Sequence, residues 1–231
     1  MAKLAGVFVT GTGTEVGKTI VAAALARTLA AEGHEVNVFK PAVTGLEEAG
    51  EADHELLRRA AGSHQSDEEI APYRFQPPAS PHLAAALAGE EIDSEVLRNA
   101  ARAAAASADV LVCEGVGGLL VPLTGRESRS LSDQVDHPLY LVRDLARNLG
   151  LPLVIVASPG LGTINHTLLT LEAARAAELE VAAVVLTPWP EEPTEVERSN
   201  RKTIAALGEV KVLTLPLLDL SAPDTWPPLA W

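Results

Sequence analysis

Apolar positions along the chain switch between two periods. Residues 4–10 form a continuous apolar run, a Gly/Thr-rich loop follows, and from 17 to about 31 Val21, Leu25 and Leu29 recur at helical spacing. Gly33 ends that helix as a C-terminal cap and residues 35–39 read as the next short strand, so a first βαβ unit closes at Lys40. A polar, acidic stretch over 46–52 precedes a helical pattern near 54–61, and the proline-containing segment 72–81 reads as a long irregular loop. Residues 93–107 form an Ala-rich helix. After it, 110–113 is an apolar strand bounded by Asp109 and Glu114, and Gly115, Val116, Gly117 and Gly118 follow as a flexible turn. The theme repeats as a helix near 139–148, a strand at 153–157, a helix near 164–177, a strand at 181–186, another helix, and a strand near 212–215. Trp226, Pro227 and Pro228 belong to a tail expected to pack on the surface.

Strands alternating with helices predict an α/β fold of three layers, a mainly parallel sheet covered by helices on both faces, with ligands at the carboxyl ends of the strands. The loops after Thr10, Phe39, Cys113 and Ala157 are therefore expected to share one rim. A chain of 231 residues, 47% hydrophobic and 21% charged, suits one sizeable core, so residues 1–231 are expected to form a single domain. Aromatics make up only 3%, which leaves Ala, Val and Leu to fill that core.

Charge narrows the functions open to such a fold. A formal net charge of −13 argues against nucleic acid or an anionic membrane as partner, because bulk electrostatics repel both. Any anionic ligand must be gripped locally. Cys113 is the only cysteine, so an intrachain disulfide is excluded and a buried structural thiol is the expected role. No signal-peptide pattern and no long apolar run stand in the sequence, and the expectation is a cytoplasmic protein.

The loop Gly11-Thr12-Gly13-Thr14-Glu15-Val16-Gly17-Lys18-Thr19 lies between the first strand and the first helix. Backbone N–H groups and the helix dipole there can hold phosphate oxygens, with Lys18 reaching the β- and γ-phosphates and Thr19 ligating magnesium. The spacing departs from the strict P-loop: five residues before Gly17 stands Thr12, and the glycine falls one place earlier, at Gly11. Magnesium prefers one or two carboxylates besides phosphate oxygens, and Glu114, directly after a buried strand, is the better candidate. A solvated strand-end acid is the alternative. Asp53 sits among Glu47, Glu48, Glu51 and Glu55, any of which could be a solvated surface acid. Lys40, at the end of the second strand, either projects onto the rim to neutralise charge on a transferring phosphoryl group or an oxyanion, or is an exposed lysine without a task.

Four motifs together, the phosphate loop, Lys40-Pro41-Ala42-Val43-Thr44-Gly45, Glu114-Gly115-Val116-Gly117-Gly118 and Leu161-Gly162-Thr163-Ile164-Asn165-His166, resemble the dethiobiotin synthetase family in order and spacing. Ser80-Pro81-His82 is similar to the family's substrate-side loop. The resemblance implies a P-loop NTPase-type fold and a homodimer that makes dethiobiotin, ADP and phosphate from 7,8-diaminopelargonic acid, carbon dioxide (or bicarbonate) and ATP. It implies magnesium held by Thr19, Asp53 and Glu114. It implies a nucleotide site of Gly13, Thr14, Glu15, Val16, Gly17, Lys18, Thr19 and Ile20, completed by Asp53, Glu114, Gly115, Val116, Gly117 and Pro216. On the substrate side it implies Thr14, Lys40, Thr44, Gly117, Gly162 and Asn165, the last two reaching the substrate carboxylate from the neighbouring subunit. Lys18 and Lys40 carry the catalytic roles. Taken alone, Asn165 and His166 read as capping and packing residues.

One departure changes an expectation. After the strand at 181–186 the family places an asparagine that reads the adenine, and here Thr187, Pro188 and Trp189 follow instead. Other nucleoside triphosphates are therefore expected to substitute for ATP. A partition- or septum-type ATPase switch is the rival class; such proteins place a second lysine early in the phosphate loop, where this chain has Gly11-Thr12-Gly13. The third reading is a catalytically silent synthetase-like domain, and the presence of Lys18, Lys40 and Glu114 weighs against it.

Overall fold

The computed structural model of the protein describes residues 4–46, 50–125 and 139–231. Glu47 and Glu48, two of the acids considered as solvated neighbours of Asp53, lie outside them. Six parallel strands make the central sheet: β1 (Gly6–Gly11), β2 (Val36–Phe39), β5 (Val110–Gly118), β6 (Leu153–Ala157), β7 (Val181–Leu186) and β8 (Val212–Thr214), ordered β2-β5-β1-β6-β7-β8. The chain runs outward from β1 to β2, returns to place β5 between them, then crosses β1 to build β6, β7 and β8. That reversal at β1 is where an open α/β sheet offers a crevice. A second sheet pairs the short β3 (Ala42–Val43) with β4 (Tyr73–Arg74).

The helices divide between the two faces, as the alternation predicts. On one face, α1 (Lys18–Ala31) and α2 (Asp53–Ala61) pack with Val7, Val9, Val112, Val154 and Val156. On the other, α5 (Ser94–Ala106) and α6 (Val142–Leu149) cover β1 and β5, while α7 (Thr163–Ala176) and α8 (Glu195–Gly208) cover β6 to β8. Val21, Ala22, Ala23, Ala24, Leu25 and Ala26 are all buried, so α1 is apolar around most of its circumference, the mark of a helix held inside the fold. Its alanines let the helix approach β1 and α2 closely. Continuous apolar runs in β6 and β7 reflect strands covered on both faces.

Two sequence expectations need correction. The segment 72–81 is not wholly irregular: Tyr73 and Arg74 pair in parallel with Ala42 and Val43, and Ser80 starts α4 (Pro81–Ala88), with Pro81 at the first helical position where its missing N–H costs nothing. A further short helix, α3 (Asp67–Ile70), begins at a Ser66/Glu69 capping box. Most consequential, β5 does not stop at Cys113. It continues through Glu114 to Gly118, because Val9 pairs with Glu114 and, past a bulge, Gly11 pairs with Gly118. The glycines that read as a turn are strand residues, and a side chain at Gly118 would stand 3.3 Å from the Gly11 carbonyl.

After β8 the tail crosses back over α1 and α2. Leu229 N–H donates to Thr28 Oγ1 (2.9 Å), Arg27 pairs with Asp224, and Arg59 donates to the Leu220 carbonyl. Trp226 is buried in the same cluster and its indole donates to the Asp219 carbonyl at 2.7 Å. The expectation of a surface-packed end holds, and the packing ties together the two helices that carry the candidate site. Trp226→Ala should lower unfolding free energy by about 3 kcal/mol, the range for truncating a buried aromatic. Urea unfolding followed by far-ultraviolet circular dichroism measures it; a loss below about 1 kcal/mol would show that the tail contributes little.

Candidate active site

Strand alternation and register assemble the site. Val110 and Val112 face α1, while Leu111 and Cys113 face the opposite layer. Glu114 shares the parity of Val112, so it points at α1. On the neighbouring strand Phe39 pairs with Cys113, which brings Lys40 level with Glu114 on the same face. Thr19 arrives from the first turn of α1 and Asp53 from the first turn of α2.

The side chains meet as this geometry requires. Lys40 Nζ lies 2.7 Å from Glu114 Oε1 and 2.6 Å from Asp53 Oδ2, and Thr19 Oγ1 donates to Glu114 Oε1 at 2.9 Å. Lys18 Nζ donates to the Gly13 carbonyl at 2.8 Å, curling over the phosphate loop. Glu114 is fully buried and Lys40 is 4% exposed, which overturns both the solvated acid and the exposed lysine as readings. Lys40 does not extend freely onto the rim; two carboxylates hold it.

Electrostatics follow from burial and this pairing. Burial disfavours the Lys40 ammonium, but Glu114 and then Asp53 outweigh it, and the lysine is held above its ordinary pKa. For Asp53 burial acts upward, and the neighbouring Lys40 outweighs it, so its carboxyl stays below the usual range. Burial dominates at Lys18, lowering its pKa against the pull of Glu114, and at Glu114, raising its pKa against Lys40. Glu114 Oε2 is buried without a hydrogen-bond partner. Burial likewise pushes the Cys113 thiol well up, which fits the structural role expected of it.

The phosphate loop explains its shifted glycine. A side chain at Gly11 would come within 2.7 Å of Val16 and 3.0 Å of Lys18, so the small residue is needed there even though the strict spacing places it at Thr12. Gly17 caps α1 with φ 92°, with no side-chain cap and no acid in the first turn, leaving an electropositive helix end facing the loop. Beside it, Thr187 Cγ2 lies 2.8 Å from where a Cβ on Gly17 would stand.

These residues line a cleft of about 760 Å³. Thr14, Glu15, Gly17, Lys18, Thr19, Ile20, Lys40, Thr44, Asp53, Glu114, Val116 and Gly117 all reach it, as does Ser80 of the substrate-side loop. Other expected residues stand apart from its lining. Gly13 offers its carbonyl to Lys18, Val16 packs against the core cluster, and Gly115 faces Phe8 and Val142, where a side chain would come within 3.0 Å of either. Pro216 follows β8, while Gly162 and Asn165 open α7. Sequence reasoning missed Val121 in the lining, where it packs against Gly117 (φ 63°), its Cγ2 2.8 Å from where a Cβ on that glycine would stand.

Magnesium can be tested against this donor set. Glu114 Oε2 has no partner, Thr19 offers a hydroxyl and Asp53 a carboxylate, and hard oxygen donors of this kind suit the ion. Among the described residues no group of three or more His, Cys, Asp and Glu is placed to hold a metal.

A parallel sheet reversing at a glycine-rich phosphate loop, with lysines, a threonine, a buried glutamate and an aspartate around it, defines the class: a P-loop nucleotide-dependent protein. Solved structures agree on the fold alone. A ParA family ATPase from Chlorobium tepidum TLS superposes with a TM-score of 0.53 at 16% identity, covering 96% of this chain and 88% of that one. The signal recognition particle 54 kDa protein from Aeropyrum pernix K1 gives 0.50 at 14% identity, over 92% and 42%. Residues 5–224 match the family described as an AAA domain. Curated relatives are closer: the ATP-dependent dethiobiotin synthetase BioD of Anaeromyxobacter dehalogenans strain 2CP-C is 42% identical over 91% of this chain and 88% of its own, and that of Bacillus subtilis strain 168 is 34% identical over 90% and 85%. The chain belongs to the ATP-dependent dethiobiotin synthetase family.

Gly17→Ala forces a side chain into both the left-handed backbone region and Thr187. Affinity for a non-hydrolysable ATP analogue should fall at least about tenfold, the equivalent of 1.4 kcal/mol. Isothermal titration calorimetry measures it, and unchanged affinity would remove Gly17 from the nucleotide site.

Proposed function

We propose that the cleft closes the ureido ring of dethiobiotin on 7,8-diaminopelargonic acid, with carbon dioxide supplying the carbonyl and ATP the driving force. The observation that carries this reading is the convergence of Lys18, Lys40, Thr19, Asp53 and Glu114 at the phosphate loop, with Thr14 and Thr44 on the same wall. Family membership places the chain among enzymes of ATP-dependent dethiobiotin synthesis, a step of biotin formation.

The chemistry needs positioned charge more than a protein nucleophile. One substrate amine adds to carbon dioxide and loses a proton, giving a carbamate. A carbamate oxygen attacks the γ-phosphorus and ADP leaves, giving a carbamic-phosphoric anhydride. The second amine attacks its carbonyl carbon, the C–O bond to phosphate breaks, and the cyclic urea forms with release of phosphate. Lys18 balances charge on the transferring phosphoryl group, and the Lys40 ammonium supplies positive charge to the carbamate and the phosphoryl group it receives. Thr14 and Thr44 orient the carbamate and diamine end. Magnesium would be held by Thr19, Asp53 and Glu114, and it supplies charge neutralisation of the β- and γ-phosphates when bound.

The remaining part of the site comes from a second copy. Helix α7 begins at Gly162 (φ 89°) with no side-chain cap and no acid in its first turn, an end suited to a carboxylate. Leu161 is 96% exposed and Leu169 55%, apolar surface that a homodimer covers. Gly162 and Asn165 of each subunit then receive the substrate carboxylate bound in the other. No helix among the described residues is long and apolar enough to cross a membrane, and the reaction is assigned to the cytoplasm, where ATP is available.

Purified protein with diaminopelargonic acid, bicarbonate, magnesium and ATP should yield dethiobiotin by mass spectrometry, together with phosphate. Phosphate released without the diamine and no product would overturn the assignment. Lys18→Ala and Lys40→Ala should each lower turnover at least about 100-fold while far-ultraviolet circular dichroism is retained; wild-type rates in either would remove its role. Because Thr187 and Pro188 offer no side-chain amide to the base, CTP and GTP should support turnover within about tenfold of ATP; strict dependence on ATP in a side-by-side assay would show that other groups read the adenine.

A further inference from the structure

A second concavity, about 390 Å³, lies on the face of the sheet opposite α1, between α8 and the edge strand β8. Trp189, Arg198, Arg201, Lys202, Ala205 and Val212 line it, and none of them belongs to the cleft at the phosphate loop. Its floor is apolar: Trp189 and Ala205 pack against Val212 and the cluster of α7 and α8. Its rim is cationic, because Arg198, Arg201 and Lys202 fall at i, i+3 and i+4 on one stripe of α8.

Those three cations lack the partners that arginines find elsewhere in this acidic chain. Arg27, Arg58, Arg59 and Arg74 face Asp224, Asp67, Glu51 and Glu68. No ion pair among the described residues involves Arg198, Arg201 or Lys202. The adjacent Glu197 turns back to the helix start, where its Oε2 accepts from Thr194 N–H and Oγ1. Arg198 reaches the Pro193 carbonyl and Arg201 the Val212 carbonyl, neutral groups that leave the positive charge uncompensated. The Arg201 guanidinium stands over the Trp189 ring, 5.9 Å from its centroid, so a cation and an indole already frame the groove.

We propose that this groove is a second ligand site, for a small anion with a flat apolar body such as an aromatic carboxylate or sulfonate. The indole and the floor of Ala205 and Val212 take the ring, and Arg198 and Lys202 take the charge. Each half of the ligand answers one half of the wall: apolar area alone leaves the cations unmatched, and a bare anion leaves the apolar floor of Ala205 and Val212 uncovered.

The test uses the full-length protein saturated with magnesium and a non-hydrolysable ATP analogue, which fills the cleft at the phosphate loop. The probe is 8-anilinonaphthalene-1-sulfonate, with N-phenyl-1-naphthylamine as its neutral counterpart and inorganic phosphate as the bare anion. The chain has three tryptophans, so the ¹⁵N–¹H spectrum of the indoles resolves the site, with Trp189 assigned through Trp189→Phe. The Trp189 signal should shift saturably with the sulfonate, and the neutral compound and phosphate should each bind at least about tenfold more weakly. The exposed pair Arg198→Glu and Lys202→Glu, introduced together, should weaken the sulfonate at least about tenfold with the dichroism spectrum unchanged. A Trp189 signal that does not move, equal binding of the neutral compound or of phosphate, or binding indifferent to the charge reversal would each overturn the proposal.

Discussion

A lysine ammonium buried between two carboxylates is the interaction on which the candidate site depends. Taking Lys40 and Glu114 out of water costs several kcal/mol per ion before their attraction is counted, and such a pair persists only where geometry and further hydrogen bonds compensate. Here strand register supplies the geometry. Phe39 opposite Cys113 brings Lys40 level with Glu114, and the period of two turns both toward α1. Thr19 and Asp53 then meet the pair from two helix starts, where first-turn polar groups are already favoured by the dipole.

That arrangement makes the packing of α1 and α2 a functional matter. Both helices lie on the same face, joined through small side chains to the sheet and through Trp226, Leu229, Arg27 and Arg59 to the tail. A segment with no chemistry of its own thus fixes the relative placement of the phosphate loop and Asp53. The opposite face is built differently. Its helices near β8 leave a groove whose charges are not matched by ion pairs among the described residues, and the contrast with the paired cations around α2 is what marks it as a place for a ligand.

Much of this was legible in the sequence. Periodicity located the strands and most of the long helices, since apolar runs of four to six residues between amphipathic segments have few other solutions. The phosphate loop, Lys40, Glu114 and Asp53 were all named from motif and resemblance. The short β4 and the continuation of β5 were not found because each is stabilised by a distant partner rather than by its own residues; α4 was missed although its signals are local, with Pro81 at its first position and Gly89 after its last. Gly115 to Gly118 has weak intrinsic preference for strand, and pairing with β1 makes it one.

What the sequence by itself determined is the class of fold, the family, and the identity of the residues at the strand ends, because these rest on local periodicity and on motifs that are contiguous in the chain. Whether Glu114 is solvated or sealed, and whether Lys40 is free or held, was decided only by tertiary structure. Burial and charge pairing are properties of neighbours that stand 74 residues apart in the case of Lys40 and Glu114, and no local pattern encodes the register that brings them to 2.7 Å. The same holds for Trp189 and Arg201, whose stacking arises only where α8 folds back along the edge of the sheet.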